Sequence, residues 1–362
     1  MTPQELQHRK RISQQILGRD GEFLSYFRVY DDLVQRNNDF HVTIEAPQVQ
    51  SITDDSVLLA VGVLRSSFPR TLKETVEHCQ QLAASERRPH FHEKALNVAC
   101  MAMFMIDPAA KENHAADFTV GDYRPSSWRL DETLGAFINR LFPPSLAVSQ
   151  EAAKVAVGYR AVRARKLQRR LGARFRPTNN LAEHLLFDEK RNSLYVFHHA
   201  EFLKAQLSRY QGKTDPLVIG LEQSLAEGAL PPQLLVETLY TLQAVLFPSI
   251  DPESAQILDE LIERRGFDPD CAEYEGYKVF REPPASFRFV FWGERMAHLH
   301  QLMRRRPPRN KLERWFHRHS TEGNALFIAL LALFISILVG IVSIALNCIQ
   351  IWMTWYTWKY TP

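Results

Sequence analysis

Four ionisable residues lie close together in the sequence and could do acid–base chemistry or bind a metal: His184, His198, His199 and Glu201. His184 precedes the first strand of a predicted hairpin and His198 follows the second, so the hairpin could bring them together. A metal site needs three or four convergent ligands. Neighbouring strand residues point to opposite faces of a sheet, which would separate His198 from His199. The spacing predicts structural histidines, and His184, His198 and His199 are only weak candidates for metal ligands.

No familiar catalytic or nucleotide-binding motif occurs elsewhere in the chain. The sequence contains no P-loop, GxGxxG, GxSxG, HExxH or kinase signature. We therefore assign no catalytic residue and no cofactor, and we favour a non-enzymatic protein while leaving the question open. The formal net charge is +3, and the basic excess lies in one short segment near the C-terminus. Because the chain is not broadly basic, we do not expect it to bind nucleic acid.

An uncharged stretch near the C-terminus has the length and composition of a transmembrane helix. Residues 323–358 include no charged side chain, and fifteen of the 22 residues from Ala325 to Leu346 are Leu, Ile, Val or Phe. At about 1.5 Å per residue this span is about 33 Å long, which matches a hydrocarbon core. The alternative is the buried core helix of a water-soluble protein, but such helices are usually shorter and keep a polar face. We predict one membrane span, beginning at Ala325 and ending at Leu346.

The charges on either side of this helix predict its orientation. Seven basic residues precede it, and only Lys359 follows it. Under the positive-inside rule the N-terminal side is cytosolic, which makes the helix a tail anchor. The same residues could bind anionic lipid headgroups, at about 1 kcal/mol each. They are Arg304, Arg305, Arg306, Arg309, Lys311, Arg314 and Arg318.

Small and polar residues recur on one face of the predicted span, at Ala332, Ser336, Gly340, Ser343 and Asn347. Their spacings of three and four residues place them on one side of a helix. Small side chains let two membrane helices approach closely, and Asn347 could donate a hydrogen bond across the contact. The pattern suggests a homo-oligomer formed through this helix. Simple tolerance of small residues in lipid explains it equally well.

The predicted fold class is mainly α: a helical cytosolic domain with one small β-hairpin, plus a single C-terminal transmembrane helix. Apolar runs on either side of the polar DEKRNS sequence predict the hairpin. Thr71 with Glu74 three residues later predicts a capping box. The expected organisation is an N-terminal helical region at 1–145, a second helical region at 150–282 with the hairpin near 185–197, a basic and aromatic juxtamembrane segment at 283–322, the transmembrane helix at 323–351 and a short aromatic tail at 352–362.

Helical periodicity also predicts the individual helices of the two regions. The segment 92–106 is apolar nearly all round and should be a central core helix. The remaining predicted helices are 5–17, 23–36, 54–64, one that begins after Thr71, 127–142, 151–171, 200–210, 217–227, 232–247 and 251–265.

Three segments resemble a family of filamentous-fungal proteins. They are FTVGDYRPSSWRLDETLGAFINRLFP at 118–143, FRPTNNLAEHLLFDEKRNSLYVFHHAEFLK at 175–204, and RWFHRH just before the span. The family is a lineage-expanded, uncharacterised group of tail-anchored membrane proteins, often encoded in accessory gene clusters. The resemblance implies an organism group and an architecture, and it supplies no catalytic residue.

These observations predict a single-pass, tail-anchored membrane protein that acts as a non-enzymatic scaffold or adaptor at a cytosolic membrane face. Its expected partners are the lipid bilayer, anionic lipid headgroups and a protein of unknown identity. Two alternatives remain. One is a membrane-tethered enzyme whose site is assembled from dispersed residues. The other is a membrane-active protein that oligomerises through the small-residue face of its transmembrane helix.

Overall fold

The computed structural model describes residues 2–39, 52–66, 69–86, 91–115, 117–144, 162–273, 287–305 and 324–360. Within it, residues 37–39, 324–332 and 356–360 are described by their backbone alone. The described chain is mainly helical, with a small sheet and one long apolar helix at its C-terminal end, which confirms the predicted fold class.

The first seven helices follow the apolar periodicity of the N-terminal region, and two of them begin at capping boxes. Thr2 pairs with Glu5 at the first, and Thr71 pairs with Glu74 at the fourth as predicted, each through reciprocal side-chain and backbone bonds. The helices are α1 (Pro3–Leu17), α2 (Leu24–Asp39), α3 (Asp54–Ser66), α4 (Leu72–Ser85), α5 (Glu93–Phe104), α6 (Ala110–Asn113) and α7 (Leu134–Leu141).

Helix α7 starts later than the predicted helix 127–142. Its N-cap is Thr133, whose hydroxyl accepts a hydrogen bond from the backbone N–H of Ala136. Ahead of this cap, Trp128 is buried and its indole N–H donates to the carbonyl of Glu132 at 2.8 Å. The prediction was wrong for the first part of the segment because a buried tryptophan holds this turn, and tertiary contacts outweigh local periodicity.

The predicted central core helix is confirmed as α5. Nine of its residues are buried, and it packs mainly against α3. The helix ends at Met105, which has a left-handed backbone (φ 51°) and donates its N–H to the carbonyl of Met101 at 2.8 Å. The Met105 carbonyl then accepts from the N–H of Leu181 at 2.7 Å, which ties the N-terminal region to the second region.

The predicted hairpin belongs to a larger, three-stranded sheet. The strands are β1 (Arg174–Thr178), β2 (Phe187–Asp188) and β3 (Ser193–Phe197), in the order β1-β3-β2. The short β2 pairs antiparallel with β3, so the hairpin exists, but β3 also pairs parallel with β1 over its whole length. The sequence analysis missed β1 because Pro177 interrupts its pattern, and proline is tolerated on an edge strand.

The second region continues as helices with one distortion, since the predicted helix 232–247 turns into a π-helix over Thr241–Leu246. Short 3-10 turns cover Leu181–Glu183, Ser208–Tyr210, Pro216–Val218 and Pro269–Cys271. The α-helices are α8 (Ala164–Leu171), α9 (Ala200–Leu207), α10 (Leu221–Ala226), α11 (Pro232–Tyr240), α12 (Pro252–Arg265) and α13 (Gly293–Arg305). The first part of the predicted helix 151–171 lies outside the described residues.

Helix α13 was not predicted, because residues between two proline pairs were interpreted as a connecting segment. Its apolar side is buried in the same core as the rest of the chain, through Met296, Leu299 and Met303. Residues Met1–Arg304 form one compact unit. The edge of this unit therefore does not coincide with the boundary expected at 283.

The second unit, Arg305–Pro362, contains helix α14 (Asn324–Tyr360). Its 37 residues extend for about 55 Å at about 1.5 Å per residue. The stretch Leu333–Trp355 contains an 18-residue window with a mean hydropathy of 2.3, and none of that window is buried. The helix is long and apolar enough to cross a membrane. It continues past Leu346, where the span was expected to end, and past 351, the expected end of the transmembrane helix.

The capping box of α4 makes a direct stability prediction. In Thr71→Ala the hydroxyl that accepts from the N–H of Glu74 is lost, so the free energy of unfolding should fall by about 1 kcal/mol. Urea titration of the full chain in detergent, followed by far-UV circular dichroism, measures this change. Gln80→Ala, on the exposed side of the same helix, is the control and should change stability by less than about 0.5 kcal/mol.

Candidate functional site

His184 is fully buried and is used to hold the sheet against α11 and α13. Its Nδ1 accepts the backbone N–H of Phe197 at 3.2 Å, and its Nε2 lies 2.7 Å from the hydroxyl of Thr241. The imidazole meets the indole of Trp292 edge to face, with ring centroids 5.0 Å apart. Burial keeps the pKa of His184 well below its usual range, so the ring is neutral.

His198 and His199 lie side by side, which corrects the prediction that they face opposite ways. Strand β3 ends at Phe197, so neither histidine is in the strand and the alternation rule does not apply. Their ring centroids are only 4.1 Å apart. His198 accepts the N–H of Asp268 on Nδ1 at 3.1 Å, and burial lowers its pKa to about 4.

His199 keeps one ring nitrogen without a hydrogen bond. Its Nε2 is 2.9 Å from the side-chain oxygen of Asn179, so Nε2 carries the proton and Nδ1 has a lone pair. That buried Nδ1 meets no hydrogen-bond partner among the described residues. Burial, followed by the nearby His198, keeps the pKa of His199 well below its usual range.

The two adjacent histidines line an open groove of about 810 Å³ between α2, the end of β1 and the end of α12. Its wall also includes Asn179, Arg265 and Asp268. His184 does not line this groove, so the sheet brings two of the three predicted histidines together. Within the ranges that the structure describes, no group of three or more His, Cys, Asp or Glu side chains could hold a metal ion. The groove offers the neutral imidazoles of His198 and His199 together with polar side chains.

Asp268, at the floor of the groove, was missed by the sequence analysis. Its Oδ2 accepts the N–H of Glu201 at 2.7 Å, which caps the start of α9. Its Oδ1 accepts the hydroxyl of Ser25 at 3.1 Å and the N–H of Asp270 at 3.0 Å. Burial raises the pKa of Asp268, but the carboxylate serves to join α2, α9 and the Pro269–Cys271 turn.

Glu237 is the most deeply buried carboxylate of this kind, and it positions the start of α13. Its Oε1 accepts the N–H of Val290 at 2.6 Å and the side-chain amide of Gln233 at 2.7 Å. Its Oε2 accepts the N–H groups of Phe291 at 2.9 Å and Trp292 at 3.0 Å. Burial raises the pKa of Glu237 to about 7, and these donors oppose that rise.

Two half-buried arginines bind carbonyl groups in the same way. Arg209 donates to the carbonyls of Ile16 at 2.6 Å and Leu17 at 2.9 Å, at the C-terminal end of α1, and to that of Glu227. Arg295 donates to the carbonyls of Ala182, at 2.8 Å, and His184. For Glu237, the available signal in the sequence was a charged residue in the otherwise apolar run LLVETL.

The residues predicted to act at the membrane are only partly described. Helix α14 places Ser336, Gly340, Ser343 and Asn347 at helical spacing, while the side chain of Ala332 lies outside the described residues. Arg304 and Arg305 end α13. The other predicted headgroup contacts lie outside the described residues: Arg306, Arg309, Lys311, Arg314 and Arg318.

Comparison with known proteins gives no family model, no curated protein and no solved structure that matches this chain. The resemblance to a fungal family stays a prediction. The function therefore has to be inferred from the geometry alone.

Glu237→Gln tests the carboxylate that positions α13. The amide replaces one acceptor oxygen with a donor that faces other donors, so the free energy of unfolding should fall by about 2–3 kcal/mol. Urea titration of the full chain, followed by circular dichroism, measures the loss. Glu260→Gln makes the same charge change on the exposed side of α12 and should stay within about 0.5 kcal/mol of wild type. Equal effects in both variants would contradict the assigned role.

The low pKa of His198 predicts acid sensitivity. Its pKa of about 4 lies below the usual value of 6.5, so the ring is protonated at a lower pH in the folded state than in the unfolded state. The stability that comes from the neutral ring is present above pH 6.5 and is lost as the pH falls. Between pH 7 and pH 5 the wild type should lose on the order of 2 kcal/mol relative to His198→Gln. If the free energy of unfolding of the two proteins changes equally between pH 7 and pH 5, the lowered pKa assigned to His198 is wrong.

Proposed function

We propose that this protein is a single-pass membrane protein whose helical unit acts as a non-enzymatic scaffold or adaptor at the cytosolic face of a membrane. The observation that carries the proposal is α14, in which the stretch Leu333–Trp355 contains an 18-residue window with a mean hydropathy of 2.3 and none of the window is buried. A water-soluble protein rarely leaves so large an apolar surface exposed. Exposed apolar residues along this helix include Phe334, Leu338 and Ile341.

The uneven distribution of charge supports the proposed orientation. The seven basic residues between 304 and 318 precede the helix, and a single lysine, Lys359, follows its apolar part. This asymmetry favours a cytosolic position for the folded unit. Trp352 and Trp355 near the other end of the helix suit the headgroup level of the far leaflet.

The use of the buried ionisable groups supports a scaffold rather than an enzyme. Glu237, Asp268, Arg209 and Arg295 all bind backbone groups at the ends of helices or turns. Side chains that are held in this way are unsuited to bind a substrate or to exchange protons during turnover. A unit whose inner charged groups hold its own backbone suits a protein whose outer surface is recognised by a partner.

Membrane fractionation tests the anchor. The full chain should stay in the membrane pellet after alkaline carbonate extraction, and a chain that ends at Glu322 should be in the supernatant. The double variant Ile341→Arg/Ile344→Arg adds about 5–7 kcal/mol to the cost of insertion and should also be extracted. Ile341→Leu/Ile344→Leu is the matched control and should remain in the pellet. Extraction of the full chain itself would contradict the anchor.

Protease protection tests the orientation. In sealed microsomes, added protease should digest the folded unit and spare a tag placed after Pro362. The reverse pattern, in which the unit is protected and the tag is lost, would contradict a cytosolic position.

A further inference from the structure

A second cavity, of about 370 Å³, lies between the α1–α2 loop, helix α9 and the turn Pro269–Cys271. Its walls are mainly apolar and include Phe23, Leu24, Leu207 and Leu239. Its volume suits a small organic molecule. This cavity is separate from the groove at His198 and His199, since the two share no lining residue.

The loop between α1 and α2 holds an aromatic ring against this cavity. Phe23 has a left-handed backbone (φ 33°), which is uncommon for a residue other than glycine. Gly21 lies directly against it, since a Cβ on this glycine would come within 2.4 Å of the Phe23 ring. The guanidinium of Arg19 lies 5.8 Å from the centre of the same ring. The close approach at Gly21 and the strained backbone at Phe23 fix the position of this aromatic wall.

The charged side chains around the cavity favour a cationic ligand over an anionic one. Lys204 has three ammonium protons, and it donates them to the carbonyl of Asp270 at 3.2 Å, the carboxylate of Asp270 at 3.1 Å and the carbonyl of Glu273 at 3.2 Å. It therefore has no proton left for an anionic ligand. Among the residues that line the cavity, the carboxylates of Glu22, Glu201, Asp270 and Glu273 outnumber the cations Arg19 and Lys204.

Glu201 is the carboxylate best placed to meet a ligand. It is half-buried on the first turn of α9, and its Oε2 accepts the N–H of Tyr26 at 3.0 Å. The backbone N–H of Ser25 also donates to this carboxylate. An ionised carboxylate has about four acceptor positions on its two oxygens, so these bonds leave it able to accept others. A cation inside the cavity would pair with this half-buried charge while its apolar part contacts the ring of Phe23.

We propose that this cavity binds a small primary amine, with its ammonium on Glu201 and its apolar group against Phe23, Leu207 and Leu239. Such a ligand matches both the apolar walls and the excess of carboxylates. An organic anion would find Lys204 already occupied and would face Glu201.

The affinity should depend on pH through Glu201. Burial, followed by the charges of Asp268 and Asp270, raises the pKa of Glu201 to about 7, and the N–H groups of Tyr26 and Ser25 oppose that rise. The other charged groups around the cavity are Arg19, Glu22, Lys204 and Glu273. Because only the ionised carboxylate pairs with an ammonium, the affinity should rise about tenfold from pH 6 to pH 8.

Isothermal titration calorimetry on the full chain in phosphatidylcholine nanodiscs tests the proposal, with empty nanodiscs as the blank. The probe is the phenethylammonium ion, and its matched analogues are 2-phenylethanol and 3-phenylpropionate. We expect the amine to bind at least tenfold more tightly than either analogue. We also expect Glu201→Gln to weaken amine binding at least tenfold at pH 8 and to remove the pH dependence. Glu260→Gln, which makes the same charge change on α12, should bind as wild type does.

A second variant keeps the test decisive if Glu201→Gln fails to fold. Leu24 lines the cavity and is 63% exposed, so Leu24→Lys places a cation beside the ligand without disturbing the core. It should weaken amine binding by about tenfold while the circular dichroism spectrum stays unchanged. Three results would overturn the proposal: no amine binding by the wild type, equal binding of the uncharged or anionic analogue, or full amine affinity in a folded Glu201→Gln or Leu24→Lys variant.

Discussion

The described structure depends on the need to satisfy main-chain hydrogen-bonding groups where helices and turns end inside the protein. The ends of a helix leave N–H and carbonyl groups without intrahelical partners, and burying them unpaired is costly. This chain supplies partners from charged side chains that come from distant parts of the sequence. Arg209 binds the last carbonyls of α1, Glu237 binds the N–H groups before α13, and Asp268 binds the N–H of Glu201, the second residue of α9. Each contact joins elements that hydrophobic packing alone would orient less specifically.

The same constraint explains the electrostatics of the interior. A buried carboxylate that accepts several N–H groups experiences two opposing effects, because burial favours its neutral form and the donors favour its charged form. Burial is the larger effect at Glu237 and Glu201, where the pKa rises to about 7. The buried histidines are neutral for the corresponding reason. The difference between the two glutamates lies in their surroundings: the carboxylate of Glu237 is fully occupied by four donors, whereas that of Glu201 lines a cavity.

The compact unit and the apolar helix follow different physical rules. Residues Met1–Arg304 bury their apolar side chains in one core, as a protein does in water. Helix α14 exposes its apolar side chains between Leu333 and Trp355, and only a nonpolar surrounding makes that arrangement favourable. The proposal of a membrane-anchored scaffold rests on this contrast between two parts of one chain.

The sequence by itself determined the helical class, the capping box at Thr71, the core helix α5 and the apolar C-terminal helix. These features depend on local periodicity and on residues three or four positions apart. Tertiary structure alone decided the parallel pairing of β1, the burial of α13, the adjacency of His198 and His199, and the partners of Glu237. Most of these depend on groups that meet across tens of residues, such as Glu237 and Trp292. Chain folding sets those distances, and no pattern of neighbouring residues records them.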